Sequence, residues 1–583
     1  FKQKTAYEIA SCLVGSEMCI RDRYETMETS VPDGGADIAR LLNGYPDGLF
    51  LRGRKVNAGQ YLGLHDARPE REFYFGDELT TLDAVETNRK WWSLDDILKR
   101  LRAAYCGTLS AEFDHLDSAA KKRWMRSRLE GHARDFFAPE TRNTEPNGDG
   151  DALPVEPTSS VWQSGGPVAG SSKLEEGLWL DAEAKRAILR RLLRAERLEL
   201  FLGKHFPSAK RFGVEGAESL IPGLQSLVET AAERGVEQIV VGMAHRGRLN
   251  VLHSVFAKPL AAICAEMRSE GVSDFDVGDV RYHLGARAEV RVPFADEMKQ
   301  AVTNQRVVEL TMAPNPSHLE AVNAVAAGMV RSKQTRLDPS AGRRAPRSGL
   351  AFRPGGAKRG GGSLSTTSAS ARRKVAGLLL HGDAAFCGLG ANAETMQLQD
   401  LPEYATGGTM HVVVNNQIGF TTVPRRARSS PHPSDVAKGY GAPIFHVNGD
   451  DPEAVVRACR LAAEYRAEWG SDVVVNLVCY RRLGHNEQDD PSITLPLRAA
   501  AIANQPRVAE TYAERLVREG VCSRAEIERW AAEIESKFEE ESRRSSDFVE
   551  NPEDWAVSAW RRPDVVEPFG FGDAEGYADP LDR

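Results

Sequence analysis

Val375-Ala376-Gly377-Leu378-Leu379-Leu380 runs into His381-Gly382-Asp383, and His411-Val412-Val413-Val414 runs into Asn415-Asn416-Gln417-Ile418-Gly419. Apolar runs of this length read as strands buried on both faces, the pattern of a parallel sheet covered by helices. Each run ends in hard oxygen donors. Open α/β sheets bind ligands at the carboxyl ends of their strands, and oxygen donors that leave room for phosphate oxygens suit Mg²⁺. In that reading Asp383 is a charged metal ligand, Asn416 offers its side-chain carbonyl and Ile418 its backbone carbonyl. Diphosphate oxygens and water complete the octahedron. Gly-Asp and Asn-Asn are also ordinary turn dipeptides, so a magnesium-held diphosphate and a pair of structural turns both stay open on this pattern alone.

The surrounding chain alternates in the same way. Ile239-Val240-Val241 leads to Gly242-Met243-Ala244-His245-Arg246-Gly247-Arg248, Ile444-Phe445-His446-Val447 to Asn448-Gly449-Asp450, and Val473 to Val478 leads to Cys479-Tyr480-Arg481-Arg482. Asp451-Pro452-Glu453 opens a helix with a cap, a first-turn proline and an acid at the positive dipole end. Its apolar face is Val455, Ala458, Ala462 and Tyr465, and Gly470 lies near its end. The alternation predicts an α/β fold with a doubly wound, mainly parallel sheet over residues 173–545. The basic stretch at 338–374, with nine Lys or Arg and no acid from Gly342 to Lys374, reads as a disordered surface insertion.

Before this domain, 24–137 reads as a small helical region, with Trp91 to Leu101 at helical spacing after a capping serine, and 138–172 as a flexible linker. Residues 1–23 resemble a translated sequencing-adapter artefact and are set aside from the fold. Residues 546–583 read as a tail. The 583 residues are 41% hydrophobic and 27% charged, the composition of an ordinary globular protein. A net charge of −8 argues against a general nucleic-acid binder. No apolar run approaches the ~20 residues of a membrane span. Eight cysteines without a C-x-x-C pair fit a reducing compartment better than a disulfide framework or zinc site.

Three further features compete for function. Gly388-Leu389-Gly390-Ala391-Asn392-Ala393 fits a dinucleotide-binding fingerprint, but the next strand ends in Asn415-Asn416 where that fold needs an acid. The glycines are instead expected to let a diphosphate approach a helix N-terminus. His245 and His283, structural in most settings, would be able to supply protons to a 2-oxo acid near neutral pH. Arg246 suits a phosphate or carboxylate, or else a surface ion pair.

Several motifs in order carry a resemblance: Phe201 to Phe206, Lys210 to Gly216, Gly242 to Leu249, Asn315 to Glu320, His381 to Phe386, Asn415 to Thr422 and Tyr480 to Glu487. Together they resemble the thiamine-dependent first component of the 2-oxoglutarate dehydrogenase family, densely from Leu178 to Pro496. The resemblance implies thiamine diphosphate and Mg²⁺ as cofactors, with Asp383, Asn416 and Ile418 at metal and cofactor positions and Arg246 as a cofactor contact. His245 and His283 match catalytic histidines. The implied reaction is oxidative decarboxylation of 2-oxoglutarate, a step of the tricarboxylic acid cycle, with the succinyl group passed to the lipoyl group of a partner acyltransferase. Dihydrolipoyl dehydrogenase is the implied third component and a homodimer the implied state at full length, in the mitochondrial matrix of a eukaryote or the cytoplasm of a bacterium.

Some motif residues resemble the related 2-oxoadipate dehydrogenase equally well. The family also carries a second, pyrimidine-binding domain with the glutamate that activates the cofactor, and nothing after about Glu540 resembles it. The expectation is therefore an N-terminal portion that is inactive alone. The rival expectation is a non-catalytic fragment that docks on the other subunits.

Overall fold

A computed structural model describes residues 107–135, 180–268, 285–294, 304–338 and 367–546, together with the backbone of four short strands nearer the N-terminus. Those four are β1 (Leu49–Leu51), β2 (Arg54–Val56), β3 (Glu72–Phe75) and β4 (Trp92–Ser93), an antiparallel sheet in the order β2-β1-β3-β4. The main sheet has eight strands: β5 (Leu109–Glu112), β6 (Gln238–Met243), β7 (Ala286–Phe294), β8 (Asn304–Met312), β9 (Val375–Gly382), β10 (Thr409–Asn415), β11 (Ile444–Asn448) and β12 (Val473–Val478). Their order is β5-β11-β12-β10-β9-β6-β8-β7.

The six central strands are parallel, and only the outermost pairs, β5 with β11 and β7 with β8, are antiparallel. The expected doubly wound, mainly parallel sheet is therefore present. Val375 to Leu380 and Met410 to Asn415 are buried throughout, which is why these strands read as unbroken apolar runs. The chain leaves β6 towards β8 on one side and returns through β9 on the other, so the order reverses between β6 and β9. Ligand crevices form outside the carboxyl ends of strands at such a reversal.

The helices cover the sheet as their sequences dictate. Pro452–Trp469 is capped by Asp451, whose side chain accepts from the N–H of Ala454, and it ends at Gly470 in a left-handed conformation (φ +59°). Val455, Ala458, Ala462 and Tyr465 are all buried in the core it shares with Leu220–Glu233. Ala182–His205 is capped by Asp181 and packs on the acid- and arginine-rich helices Val508–Arg518 and Arg524–Arg543.

Three expectations need correction. The region 24–137 is not simply helical: its described residues contain β1–β5 and one helix, Ala119–Asp135, and Trp92–Ser93 is a strand rather than the start of a helix. The region 24–137 is also not wholly distinct from the domain placed at 173–545, because β5 pairs with β11 as an edge strand of the main sheet. Its Glu112 bonds His446 Nε2 at 2.8 Å and pairs with Lys438. Against the upward push of burial, His446 and Lys438 hold that carboxyl down at about 2. Finally, the basic insertion ends earlier than its composition suggests. Ser368 caps a helix, Ala369–Lys374, that feeds directly into β9, and Asp338 accepts from the N–H of Ser368, drawing together the two ends of a 30-residue excursion. The linker at 138–172, the tail at 547–583 and the first 23 residues lie outside the described residues.

Candidate active site at the carboxyl edge of the sheet

Beside the point of reversal lies a cavity of about 120 Å³, lined by Met243 to Arg246 after β6, Leu380 to Ala385 at the end of β9, and Val414, Asn416 and Ile418 to Phe420 after β10. Leu319, Glu320, Arg481 and His485 complete it. Parallel register makes this convergence a direct result of strand pairing: Met243 aligns with Leu380, Val414 with Gly382 and Asn415 with Val478. Five of the six sequence-predicted residues, His245, Arg246, Asp383, Asn416 and Ile418, thus meet in one place. His283 lies outside the described residues.

Asp383 begins the helix Asp383–Gly388 and is only 2% exposed. Burial raises its carboxyl above the usual carboxylate range, opposed by Arg428, whose Nη1 donates to Oδ2 at 3.2 Å, and by backbone N–H groups at the helix start. A carboxylate that is desolvated and only partly compensated gains most from an added cation. Asn416 is buried beside it, and its Oδ1 has no hydrogen-bond partner. Buried carbonyl oxygens are nearly always satisfied, so this one points to an absent partner. The loop after Asn416 is rigidly held. Arg498 donates to the carbonyls of Asn416 at 2.9 Å and Gln417 at 2.8 Å, and Gln417 Nε2 donates to the carbonyl of Cys479 at 2.9 Å. Gln417 (φ +61°) and Phe420 (φ +53°) occupy left-handed conformations that are sparsely populated outside glycine. Gly419 lets this loop sit against the helix, since a Cβ there would stand 2.6 Å from Ala384 Cβ.

The opposite wall is aromatic and cationic. His245 packs on Phe212 with ring centroids 4.1 Å apart and faces His485 edge-on at 5.5 Å. Arg246 donates to the carbonyls of His485 (2.6 Å) and Gly213 (3.3 Å). Burial, then its neighbour Arg481, push its guanidinium down to about 10, so it remains charged at neutral pH. His485 is held below its usual range by burial and by Arg246 and Arg481, which leaves a neutral ring facing the cavity. Glu487 fixes this wall from behind, accepting from the backbone N–H groups of Arg211 (2.6 Å), Phe212 (3.2 Å) and Gly213 (2.9 Å).

Sequence reasoning gave His485, Arg428, Arg498 and Glu320 no role. The signals for His485 and Glu320 were the motifs Tyr480 to Glu487 and Asn315 to Glu320, whereas Arg428 and Arg498 declare themselves only through partners distant in sequence. One expectation fails here. Gly388 and Gly390 do not line the cavity; they end one helix and begin the next, and a Cβ on either would meet nothing within 4 Å. The Gly382-Asp383 junction lines the cavity in their place. Among the described residues no trio of His, Cys, Asp or Glu could hold a metal unaided, so one acid and one amide would depend on a ligand's oxygens to fill a coordination sphere.

The chain is similar to the 2-oxoglutarate dehydrogenase E1 components of Brucella canis, Brucella abortus and Brucella suis, at 39% identity over 469 residues. The matched segment is 80% of this chain and 39% of each relative, so the chain spans about two fifths of the curated relatives it matches. A family model described as "Dehydrogenase E1 component" matches residues 190–552, a range that contains β6–β12 and all six sequence-predicted site residues. The chain belongs to the dehydrogenase E1 component family.

Proposed function

We propose that this chain supplies the diphosphate-binding part of a thiamine diphosphate-dependent 2-oxo acid dehydrogenase, with 2-oxoglutarate as substrate and a lipoyl-bearing acyltransferase as acceptor. The observation that carries it is the pairing of a buried, under-compensated carboxylate, Asp383, with an unpartnered buried carbonyl oxygen on Asn416, just past the carboxyl ends of the adjacent parallel strands β9 and β10. Such a pair fits Mg²⁺, with Ile418 offering a backbone oxygen and the diphosphate the remainder. Thiamine diphosphate, when bound, supplies the electron sink for decarboxylation of a 2-oxo acid.

The chain's own residues bind and orient. Arg246 carries a buried positive charge that favours phosphate or carboxylate oxygens. His245 and His485 stand across the cavity, where either ring can hold or move a proton at a ring nitrogen, and the resemblance adds His283 to that set. A cavity of about 120 Å³ is smaller than the ~300–1,000 Å³ that encloses a whole cofactor-sized ligand. It fits the phosphate end of such a molecule. The names of the relatives support 2-oxoglutarate over 2-oxoadipate and a role as one component of a larger dehydrogenase.

Calorimetric titration of the chain with thiamine diphosphate is expected to give binding with Mg²⁺ and none after chelation. Asp383→Ala should weaken that binding at least about a hundredfold. Binding that is indifferent to Mg²⁺, or retained by Asp383→Ala, would overturn the assignment.

A further inference from the structure

Glu320 is a residue of the cavity wall that the proposed chemistry does not use. It precedes the helix Ala321–Leu337 in a left-handed conformation (φ +68°), and its side chain makes no capping bond to that helix. A residue in that place normally has extended backbone and spends its side chain on the helix's free N–H groups. Glu320 does neither, and such strain persists only where the surroundings over-determine it.

The surroundings are a buried chain of side chains. Glu320 Oε2 accepts from Asn323 Nδ2 at 2.6 Å and lies 2.6 Å from His381 Nδ1. His381 Nε2 is 3.0 Å from His411 Nδ1, and His411 Nε2 is 3.5 Å from Asp472 Oδ2 with no hydrogen-bond partner. All four main members are less than 7% exposed. With one N–H on each imidazole, three links can hold only two protons. Two short links and one long one assign the tautomers. His381 Nδ1–H donates to Glu320, His411 Nδ1–H donates to His381 Nε2, and the bare Nε2 of His411 faces Asp472 without a bond. The Glu320 end of this chain is therefore the anchored end, and it stands at the cavity.

His381 lies two residues before Asp383 on β9, while Glu320 ends the segment Asn315 to Glu320 that borders the cavity from a different part of the chain. One carboxylate thus joins two walls. We propose that Glu320 is a positioning residue for the metal–diphosphate grip: through His381 it fixes the turn that presents Asp383. This rests on the reading of the cavity as a magnesium–diphosphate site. Partners that orient metal ligands from behind typically change metal affinity about 10–100-fold when removed.

The test is Mg²⁺-dependent thiamine diphosphate binding by the whole chain and three variants, with thermal melting of each. Glu320→Ala and Glu320→Asp are expected to bind at least about tenfold more weakly, since a carboxylate one methylene shorter cannot reach both His381 and Asn323. Glu320→Gln should stay within about threefold of the parent, because its amide oxygen still accepts from both, and should melt alongside Glu320→Asp. If Glu320→Ala does not fold, the Asp and Gln pair decides. Variants Ala and Asp that bind within about threefold of the parent would overturn the positioning role. So would a Gln variant as weak as Asp, since charge rather than reach would then matter. A parent chain that binds nothing overturns the site reading itself, and the inference with it.

Discussion

Arg466, at the amino end of the parallel sheet, donates to the carbonyls of Arg372 (2.8 Å), Val375 (2.9 Å) and Gly408 (3.2 Å), while Gln334 donates to the carbonyl of Thr406 at 2.7 Å and Asp472 accepts from the N–H of Thr409 at 2.7 Å. At the carboxyl end of the same strands, Asn415 Oδ1 and Asn416 Oδ1 have no partner, Asp383 is desolvated beyond what Arg428 repays, and Glu320, Gln417 and Phe420 sit in strained backbone. Both ends bury charge and irregular backbone. The amino end ties its irregular backbone to Arg466, Gln334 and Asp472, with Gln334 Oε1 left over, whereas the carboxyl end gathers unpartnered oxygens and strained backbone around one cavity. A chain breaks local rules mainly where function requires it, so the contrast separates scaffold from site without reference to any relative.

The comparison is broken most severely at the scaffold end. Arg466→Met keeps much of the side chain's bulk but leaves several buried carbonyls without a donor, at a cost of about 4 kcal/mol in folding free energy. Chemical denaturation should show that loss, while the affinity for Mg²⁺ and thiamine diphosphate of the folded fraction stays within about twofold. A large loss of affinity would mean that the two edges are not independent.

A smaller effect is expected behind the aromatic wall. Glu218 is buried, its Oε1 has no hydrogen-bond partner, and desolvation raises its carboxyl to about 7. A carboxyl raised on folding binds its proton more tightly in the folded chain, so its stabilising contribution is full below about pH 4.5 and is lost as the pH rises through 7. Glu218→Gln, which cannot ionise, should therefore be more stable than the parent by about 2–3 kcal/mol at pH 8, with the gap closing near pH 5. Denaturant midpoints across that range check the sign. A gap that widens towards acid would refute it.

The legible part of this fold was the part governed by local physics. Long apolar runs announced β9 and β10, the donors at their ends placed Asp383 and Asn416 together, and Asp451-Pro452 with Gly470 marked both ends of one helix. Strands of two to four residues, such as Trp92–Ser93 and Glu72–Phe75, are too short to show a period against the helical spacing around Trp91. Ala369–Lys374 was hidden because its composition is that of a disordered tract, although Ser368 was a legible cap. The roles of Glu320 and Arg428 depend on partners 61 and 45 positions away, and no local pattern encodes those distances. The glycine fingerprint failed for a related reason: Gly388 and Gly390 satisfy the spacing but fall one helix too late to meet the strand end.

The smallest expected change in stability is also the sharpest probe of the comparison. Asn416→Ala removes a buried carbonyl oxygen that has no partner, so no hydrogen bond from that oxygen is lost, and the loop remains held by Arg498 through the backbone carbonyls of Asn416 and Gln417. Truncation should shift folding free energy by less than about 1 kcal/mol, the small loss of packing being offset by relief of an unsatisfied polar atom. If that oxygen is instead reserved for a metal, the same change should lower the Mg²⁺-dependent affinity for thiamine diphosphate about tenfold or more. Arg466→Met and Asn416→Ala would then form a crossed pair, one losing stability with affinity kept and the other losing affinity with stability kept. Denaturation and calorimetry on the two variants read all four quantities. If Asn416→Ala destabilises as Arg466→Met does, Asn416 belongs to the scaffold, and the metal would have to be held by Asp383 and backbone oxygens alone.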